Sequence, residues 1–268
     1  MKRLRLQCVR KITIRNRIIG GAEPLICLPL MASDADALYE QAAQTAALRP
    51  DLVEWRLDRF DAAQDVQAVR QHLAKLRRIL AEIPLIFTCR AFKEGGFRRL
   101  DPAVRLEINH AALASGHVDL IDTEMSNGTQ WIRELKDACR KAGVALILSY
   151  HNFDATPEEA FLVDRLVAAQ QLGADIAKVA VMPAGFGDVL TLLRATFRAR
   201  SEHLEIPMIT ISMEAHGALS RIVGGLFGSD ITFAFGTIGS ASGQVPIESL
   251  RKAWCALGIR PESTHGTV

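Results

Sequence analysis

The sequence has few cysteines, and they are spread along the chain. All five, at positions 8, 27, 89, 139 and 255, stand apart, and no Cys-x-x-Cys pair occurs among them. Zinc sites and disulfide frameworks use closely spaced cysteines, so we expect neither here. The pattern is typical of reduced thiols and predicts a cytoplasmic protein.

Long apolar runs and a strong charge of one sign are also missing. No stretch reaches the roughly 18 apolar residues of a membrane span, so we expect no membrane association. The 32 basic and 30 acidic residues give a formal net charge of +2, which argues against a nucleic-acid partner. The N-terminal segment is basic but lacks the apolar core of a secretory signal, so we interpret residues 1–10 as a short charged extension.

From residue 24 onward, short apolar segments alternate with longer amphipathic ones. Continuous apolar strands joined by helices predict a parallel sheet covered on both faces. Eight such units in one α/β domain favour a (β/α)8 TIM barrel over an open doubly wound sheet, because the glycines of "IIGGAEP" precede the first strand. The predicted strands lie within 24–31, 51–58, 84–91, 117–125, 144–152, 174–183, 207–214 and 231–239.

We expect a single domain over residues 1–268, with a hairpin region at 11–23 and a C-terminal tail at 259–268. The alternation in "KITIRNRII" indicates the hairpin. Helix signals support the crossovers: Ser33 is the expected N-cap of the first helix, and Thr156 followed by Pro157 is expected to open the fifth. Gly173 is expected to end the fifth helix.

Polar side chains interrupt the predicted strands near their carboxyl ends, where barrel enzymes place their chemistry. Each charge carries a desolvation cost, so their convergence indicates an active site for a small, polar, anionic substrate. The residues concerned are Glu54, Arg56, Arg90, Glu94, Asp122, Glu124, His151, Lys178 and Arg221.

The most unusual of these is Lys178, in the apolar segment "GADIAKVAVMP". Alternation places it on the same strand face as Ile176 and Ala180, which we take to be the barrel interior. Among cations and apolar walls we expect a neutral amine that forms a Schiff base with a ketone. With His151 as acid and base and arginines to bind a carboxylate, the residues suggest a Schiff-base lyase or aldolase acting on a keto acid.

Seven motifs, spread in order over most of the chain, resemble type I 3-dehydroquinate dehydratases: "EWRLD", "TCRAFKEGG", "SYHNF", "DIAKVAVMP", "ISMEAHGALSR", "FGSDITF" and "SASGQ". The resemblance implies a carbon–oxygen lyase that converts 3-dehydroquinate to 3-dehydroshikimate, the third step of the shikimate pathway. It also implies a barrel closed at the bottom by the N-terminal hairpin, a homodimer, and neither metal nor organic cofactor.

Matched residue by residue, the resemblance implies three catalytic side chains. Lys178 would form the Schiff base, His151 would act as general acid and base, and Glu94 would orient the histidine. Arg221 would bind the substrate carboxylate. The remaining implied substrate contacts are Glu54, Arg56 and Arg90 at the ring hydroxyls, Met213 and Phe233 as apolar walls, and Ser240 and Gln244 on a closing loop.

Two residues depart from the family pattern. Ser242 stands in the closing loop where family members often have proline, which we expect to make the open loop more flexible. Glu214 stands where small or hydroxyl residues are frequent, and we expect it to point to solvent.

Three alternatives stay open from the residues. A class I aldolase on a related barrel would explain Lys178, and "GTIGSASG" is glycine-rich enough for a phosphate site. The same dehydratase could serve quinate breakdown rather than biosynthesis. A non-catalytic binding relative is disfavoured, because Lys178, His151, Glu94 and Arg221 are all present.

Overall fold

Strands and helices alternate along the chain in the computed structural model, which describes residues 5–236 and 243–261. The strands in this part are β1 Ile12–Ile14, β2 Arg17–Ile19, β3 Leu25–Leu30, β4 Leu52–Arg56, β5 Leu85–Thr88, β6 Leu120–Glu124, β7 Ala145–Asn152, β8 Ile176–Val181, β9 Met208–Ser212 and β10 Ile231–Phe233. Its helices are α1 Ala35–Ala47, α2 Val66–Leu80, α3 Pro102–Ser115, α4 Thr129–Ala142, α5 Glu159–Gln171, α6 Phe186–Arg198, α7 Glu214–Phe227 and α8 Ile247–Ala256. No helix of the described residues is long and apolar enough to cross a membrane.

The eight strands from β3 to β10 form one parallel sheet in the order β10-β3-β4-β5-β6-β7-β8-β9. Each of the eight predicted segments contains one of these strands, so the predicted (β/α)8 barrel is confirmed. Residues alternate between two apolar layers, as the period of a strand requires. Val179 and Val181 pack outward beneath the helices, whereas Ile176 and Ala180 pack in the barrel interior.

The seam between β9 and β10 is bridged by the residues just before β10, among them Ser229, whose hydroxyl accepts the N–H of Thr210 (3.1 Å). The backbone N–H of Asp230 donates to the carbonyl of Met208 (2.7 Å), and the Asp230 carboxylate accepts the N–H of Met208 (2.8 Å). Arg5 and Arg200 donate to the same carboxylate. We call Arg5, Arg200 and Asp230 the lower cluster; all three are buried, and Arg200 also donates to the carbonyl of Ile206 (2.8 Å).

The N-terminal strands β1 and β2 pair antiparallel and form the predicted hairpin. Its residues Ile12, Ile14 and Ile19 pack against the apolar interior layer, so the hairpin covers the lower end of the barrel. Arg5, which we expected in a charged extension, is instead only 7% exposed. Its partner Asp230 is distant in sequence, so no local pattern could have indicated this contact.

Two predicted helix caps are wrong. The N-cap of α1 is Asp34, whose carboxylate accepts the N–H of Ala37 (2.9 Å), one residue after Ser33. The N-cap of α5 is Glu158, so Thr156 and the proline after it precede the helix. The Thr156 hydroxyl donates instead to a carbonyl of the loop after β8 (2.9 Å). Gly173, at φ +91°, follows the end of α5 as expected.

Candidate active site

A cavity of about 220 Å³ opens at the carboxyl ends of the barrel strands. Most of the residues selected from the sequence line it: Glu54, Arg56, Arg90, His151, Lys178, Met213, Arg221, Phe233 and Gln244. Glu94 contacts His151. Ser240 and Ser242 lie outside the described residues. Glu214 is exposed, as expected, but it also lines the mouth of the cavity.

Lys178 lies inside the barrel on β8, with its side chain 5% exposed. Its Nζ donates to Oδ2 of Asp122 (2.6 Å) and lies 3.8 Å from Oε1 of Glu54. The ring of Phe233 covers the amine at 4.8 Å from the ring centroid. We expected cations around the Lys178 amine, and this prediction is wrong for its nearest neighbours, because the polar groups closest to Nζ are carboxylates.

Asp122 is the residue that links the lysine to the rest of the site. It accepts hydrogen bonds from Arg90 Nη2 (3.0 Å) and from the Ser149 hydroxyl (2.6 Å). Burial raises the pKa of Asp122, but Arg90 and Lys178 outweigh burial and hold that pKa well below its usual range. Asp122 therefore stays an anion in contact with the amine.

Arg90 holds the buried polar groups beneath the cavity in place. It donates to Asp122, to Glu124 Oε1 (2.8 Å) and to the Ser149 hydroxyl (2.8 Å). Burial lowers the pKa of Arg90, but Asp122 and Glu124 more than offset it and raise the pKa. We call Arg90, Asp122, Glu124 and Lys178 the upper cluster. Because its members hold one another in fixed positions, it is a rigid base for chemistry at the lysine.

His151 and Glu94 form the second part of the site. One oxygen of Glu94, Oε2, accepts the backbone N–H of His151 (2.8 Å) and lies 3.3 Å from the ring Nδ1. The Ser126 hydroxyl donates to the other oxygen. With Nδ1 as the donor to Glu94, the lone pair of the imidazole is on Nε2.

The electrostatic surroundings keep His151 neutral. Burial, together with the cations Arg90 and Lys178, lowers its pKa well below the ordinary 6.5. Burial also raises the pKa of Glu94. A neutral imidazole near Lys178 is a general base that is ready at neutral pH.

Arg221, on α7, is buried without a carboxylate partner among the described residues. Its Nη1 donates to the carbonyl of Phe233 (3.2 Å), but its Nε is buried with no acceptor. Burial lowers the pKa of Arg221 to about 10. A buried guanidinium with open donors favours an anionic ligand, since an unmade hydrogen bond there is costly.

Two further carboxylates hold residues at the strand ends. Arg56 donates twice to Asp58 (2.8 and 2.9 Å), and Glu54 accepts from the Thr88 hydroxyl (2.7 Å). Sequence reasoning counted Asp122 among the converging polar residues but gave it no role, and it did not select Asp58. Asp122 was visible as a polar residue on its strand, and the alternation that selected Lys178 would have placed it inside.

The fold and site together define a class of protein: a (β/α)8 barrel enzyme with a buried lysine arranged for imine chemistry. The chain belongs to the type I 3-dehydroquinase family, whose family model matches residues 26–261. The resemblance seen in the sequence motifs is confirmed.

Individual relatives agree with this membership. A 3-dehydroquinate dehydratase of Geobacillus thermodenitrificans (strain NG80-2) is 44% identical over 241 residues, which cover 90% of this chain and 93% of the relative. The crystal structure of 3-dehydroquinate dehydratase from Geobacillus kaustophilus HTA426 has a TM-score of 0.91 at 41% identity, covering 94% of this chain and 97% of the other. A type I enzyme from Clostridium difficile, crystallised with covalently modified comenic acid, has a TM-score of 0.89 at 35% identity and covers 92% of this chain and 97% of its own.

Proposed function

We propose that this protein dehydrates 3-dehydroquinate to 3-dehydroshikimate, the third step of the shikimate pathway, through a Schiff base at Lys178. The family membership supports the activity. The observation that carries the mechanism is the buried Lys178 amine, held by Asp122 beside a neutral His151 and in the same cavity as an unpaired Arg221.

Imine formation begins at the ring ketone of the substrate. Lys178 passes a proton to the neutral His151, which lines the same cavity, while Asp122 stays an anion and holds Nζ at 2.6 Å. The free amine adds to the carbonyl carbon and gives a carbinolamine. His151 returns this proton to the carbinolamine hydroxyl, which leaves as water and gives an iminium ion. The positive nitrogen then withdraws electrons from the adjacent carbon, which makes its proton removable.

Elimination follows at the next two ring carbons. Nε2 of His151 takes the proton from C2, and the electron pair left behind forms a double bond as the C1–O bond breaks. The same imidazole returns the proton to the departing hydroxyl, which leaves as water. Glu94 keeps the ring oriented throughout, and hydrolysis of the iminium frees Lys178.

Substrate binding uses the rest of the cavity. Arg221 binds the carboxylate, because its buried guanidinium lines the cavity and has no carboxylate partner among the described residues. Glu54, Arg56 and Arg90 hold the ring hydroxyls, and Met213 and Phe233 form the apolar walls. Gln244, which lines the cavity, contacts the bound ring, and the family resemblance assigns Ser240 the same role.

An ultraviolet absorbance assay tests the activity directly. 3-Dehydroshikimate is a conjugated enone, so absorbance rises when the enzyme is mixed with 3-dehydroquinate. A panel of aldol substrates run in parallel should give no cleavage. Cleavage of an aldol with no absorbance rise on 3-dehydroquinate would overturn the proposal in favour of the aldolase.

The family resemblance also supports a homodimer and catalysis without metal or organic cofactor. The cysteine pattern supports a cytoplasmic location, and the lack of a linker supports one domain with a short basic N-terminal extension and a C-terminal tail. Sedimentation velocity of the purified protein tests the assembly: a single species of twice the chain mass is expected. A monomer at assay concentration would contradict the dimer.

The metabolic role is tested by growth. A strain that lacks the gene is grown with quinate as the carbon source, which distinguishes a role in quinate breakdown from one in biosynthesis.

A further inference from the structure

Arg59 lines the active-site cavity but has no part in the chemistry described above. It lies on the short 3-10 turn Leu57–Arg59 that follows β4, and its side chain is half-buried. Its Nε is buried and has no hydrogen-bond partner among the described residues. Because a buried N–H without an acceptor costs free energy, the site favours an acceptor supplied by a ligand.

The backbone on both sides of Arg59 is anchored. Asp58 is fully buried and binds both Arg56 and the backbone N–H of Phe97 (2.9 Å), while Phe60 is packed in the core. The Arg59 guanidinium lies 4.5 Å from the centroid of the Phe97 ring. Such stacking occupies the face of the guanidinium and leaves its in-plane N–H donors open, in the geometry that suits a carboxylate.

The acids near Arg59 already have other partners. Asp58 is bound by Arg56, and Asp61 is bound by Arg98. Of the other arginines that line the cavity, Arg90 has two carboxylate partners. In the part of the chain that the structure describes, Arg59 and Arg221 are thus the cavity arginines without a carboxylate.

We propose that Arg59 forms an outer anion subsite at the mouth of the cavity, which attracts carboxylated ring compounds and adds to their binding. Arg59 and Arg221 line the same cavity, so both charges act on an anion bound there, and added salt weakens the attraction. The attraction is equal for substrate and transition state, so it lowers KM and leaves kcat unchanged. For substrate, this inference rests on the proposed dehydratase function.

The variant R59Q removes the charge and keeps a polar side chain. At low ionic strength, KM for 3-dehydroquinate should rise about fivefold with kcat within about twofold, and the difference should shrink as salt is added. R59K, which keeps the charge, should recover most of the wild-type KM. An unchanged KM in R59Q at every salt concentration, or a fall in kcat instead, would overturn the subsite.

Arg99 provides a matched control. Arg99 follows Phe97 closely in the sequence, and its guanidinium lies 4.5 Å from the ring centroid of Phe92. Unlike Arg59, it does not line the cavity. R99Q should therefore leave KM unchanged. An equal rise of KM in R99Q would show a diffuse charge effect and contradict a subsite at Arg59.

Binding of quinate, a carboxylated ring without a ketone, tests the subsite without turnover. Calorimetry should give a Kd about fivefold higher for R59Q than for the wild-type protein or R99Q. Equal Kd values would overturn the subsite even in an active enzyme. A wild-type protein that binds quinate in this Arg59-dependent way but does not dehydrate 3-dehydroquinate would keep the subsite and overturn the proposed function.

Discussion

Both ends of the barrel bury a cluster of charged side chains, but the two clusters differ in what they leave open. At the lower cluster, Asp230 takes both Arg5 and Arg200, and Arg200 also binds backbone carbonyls. The upper cluster instead borders an open cavity that Lys178 and Arg221 line, and Nε of Arg221 has no acceptor among the described residues.

The buried charges of the lower cluster stabilise the fold, whereas those of the upper cluster serve the proposed chemistry. Each buried charge has a large desolvation cost, which is offset only by close partners. In the lower cluster each guanidinium group has a carboxylate partner, because Arg5 and Arg200 share Asp230, and the cluster joins the ends of the sheet. The upper end leaves part of this cost without a partner among the described residues, and under the proposed function the anionic substrate supplies that partner.

The largest expected effect is at the upper end. His151→Ala removes the base and acid of the elimination, so kcat should fall by about 10³-fold or more in the absorbance assay. Imine formation needs Lys178 and should be slowed but not abolished without the imidazole, because water can carry the proton, so borohydride should still trap a substrate adduct. His203→Ala, at an exposed histidine that does not line the cavity, should keep full activity. A His151→Ala enzyme with near wild-type kcat would remove the histidine from the mechanism.

The lower cluster should respond in stability and not in rate. Asp230→Asn leaves two buried guanidinium groups without a carboxylate, so the free energy of unfolding should fall by about 3 kcal/mol in urea titrations. The kcat of the folded fraction should not change. Glu202→Gln breaks an exposed pair with Arg198 and should cost less than about 0.5 kcal/mol. Equal losses in the two variants would mean that the lower cluster does not stabilise the barrel.

Arg221 should show the reverse behaviour. Arg221→Gln removes the proposed carboxylate contact, so kcat/KM should fall by about 10²-fold. Because the guanidinium has no carboxylate partner among the described residues, its loss should not lower the free energy of unfolding. A destabilised variant with unchanged KM would place Arg221 with the structural charges.

The smallest expected effect is the pH dependence. His151 acts as a base only when neutral, and burial with Arg90 and Lys178 lowers its pKa well below 6.5. As pH falls, the imidazole is therefore protonated late, and kcat/KM should show no histidine-dependent loss between pH 8 and about 6.5. An acid limb centred at or above pH 6.5 would show that the surrounding cations do not act on His151 as described.

Much of the fold could be predicted because it depends on local patterns. Apolar segments at regular spacing indicated all eight barrel strands, and alternation placed Lys178 inside. The burial of Arg5 could not be predicted, because its partner Asp230 is more than 200 residues away. The cap of α1 was wrong because the neighbouring Asp34 is an equally good capping residue. The cap of α5 was wrong because the Thr156 hydroxyl binds a distant carbonyl, and the helix begins later without a side-chain cap.

At the site, residue types indicated the chemistry but not the contacts. The contact of Lys178 with Asp122 depends on strand register, since β6 and β8 are separated by β7, with Ser149 level with Lys178. Sequence spacing contains no information on that alignment. Arg59 and Arg221 have no carboxylate partner among the described residues because the nearby acids pair with other arginines, and the sequence does not show that pairing either.

Trapping of the covalent intermediate tests the central claim most directly. The wild-type protein is mixed with 3-dehydroquinate, reduced with borohydride, digested and analysed by mass spectrometry. The peptide containing Lys178 should gain the mass of one reduced adduct, and Lys178→Met should gain none. Turnover of 3-dehydroquinate with no adduct, or with an adduct on another lysine, would contradict a Schiff base at Lys178.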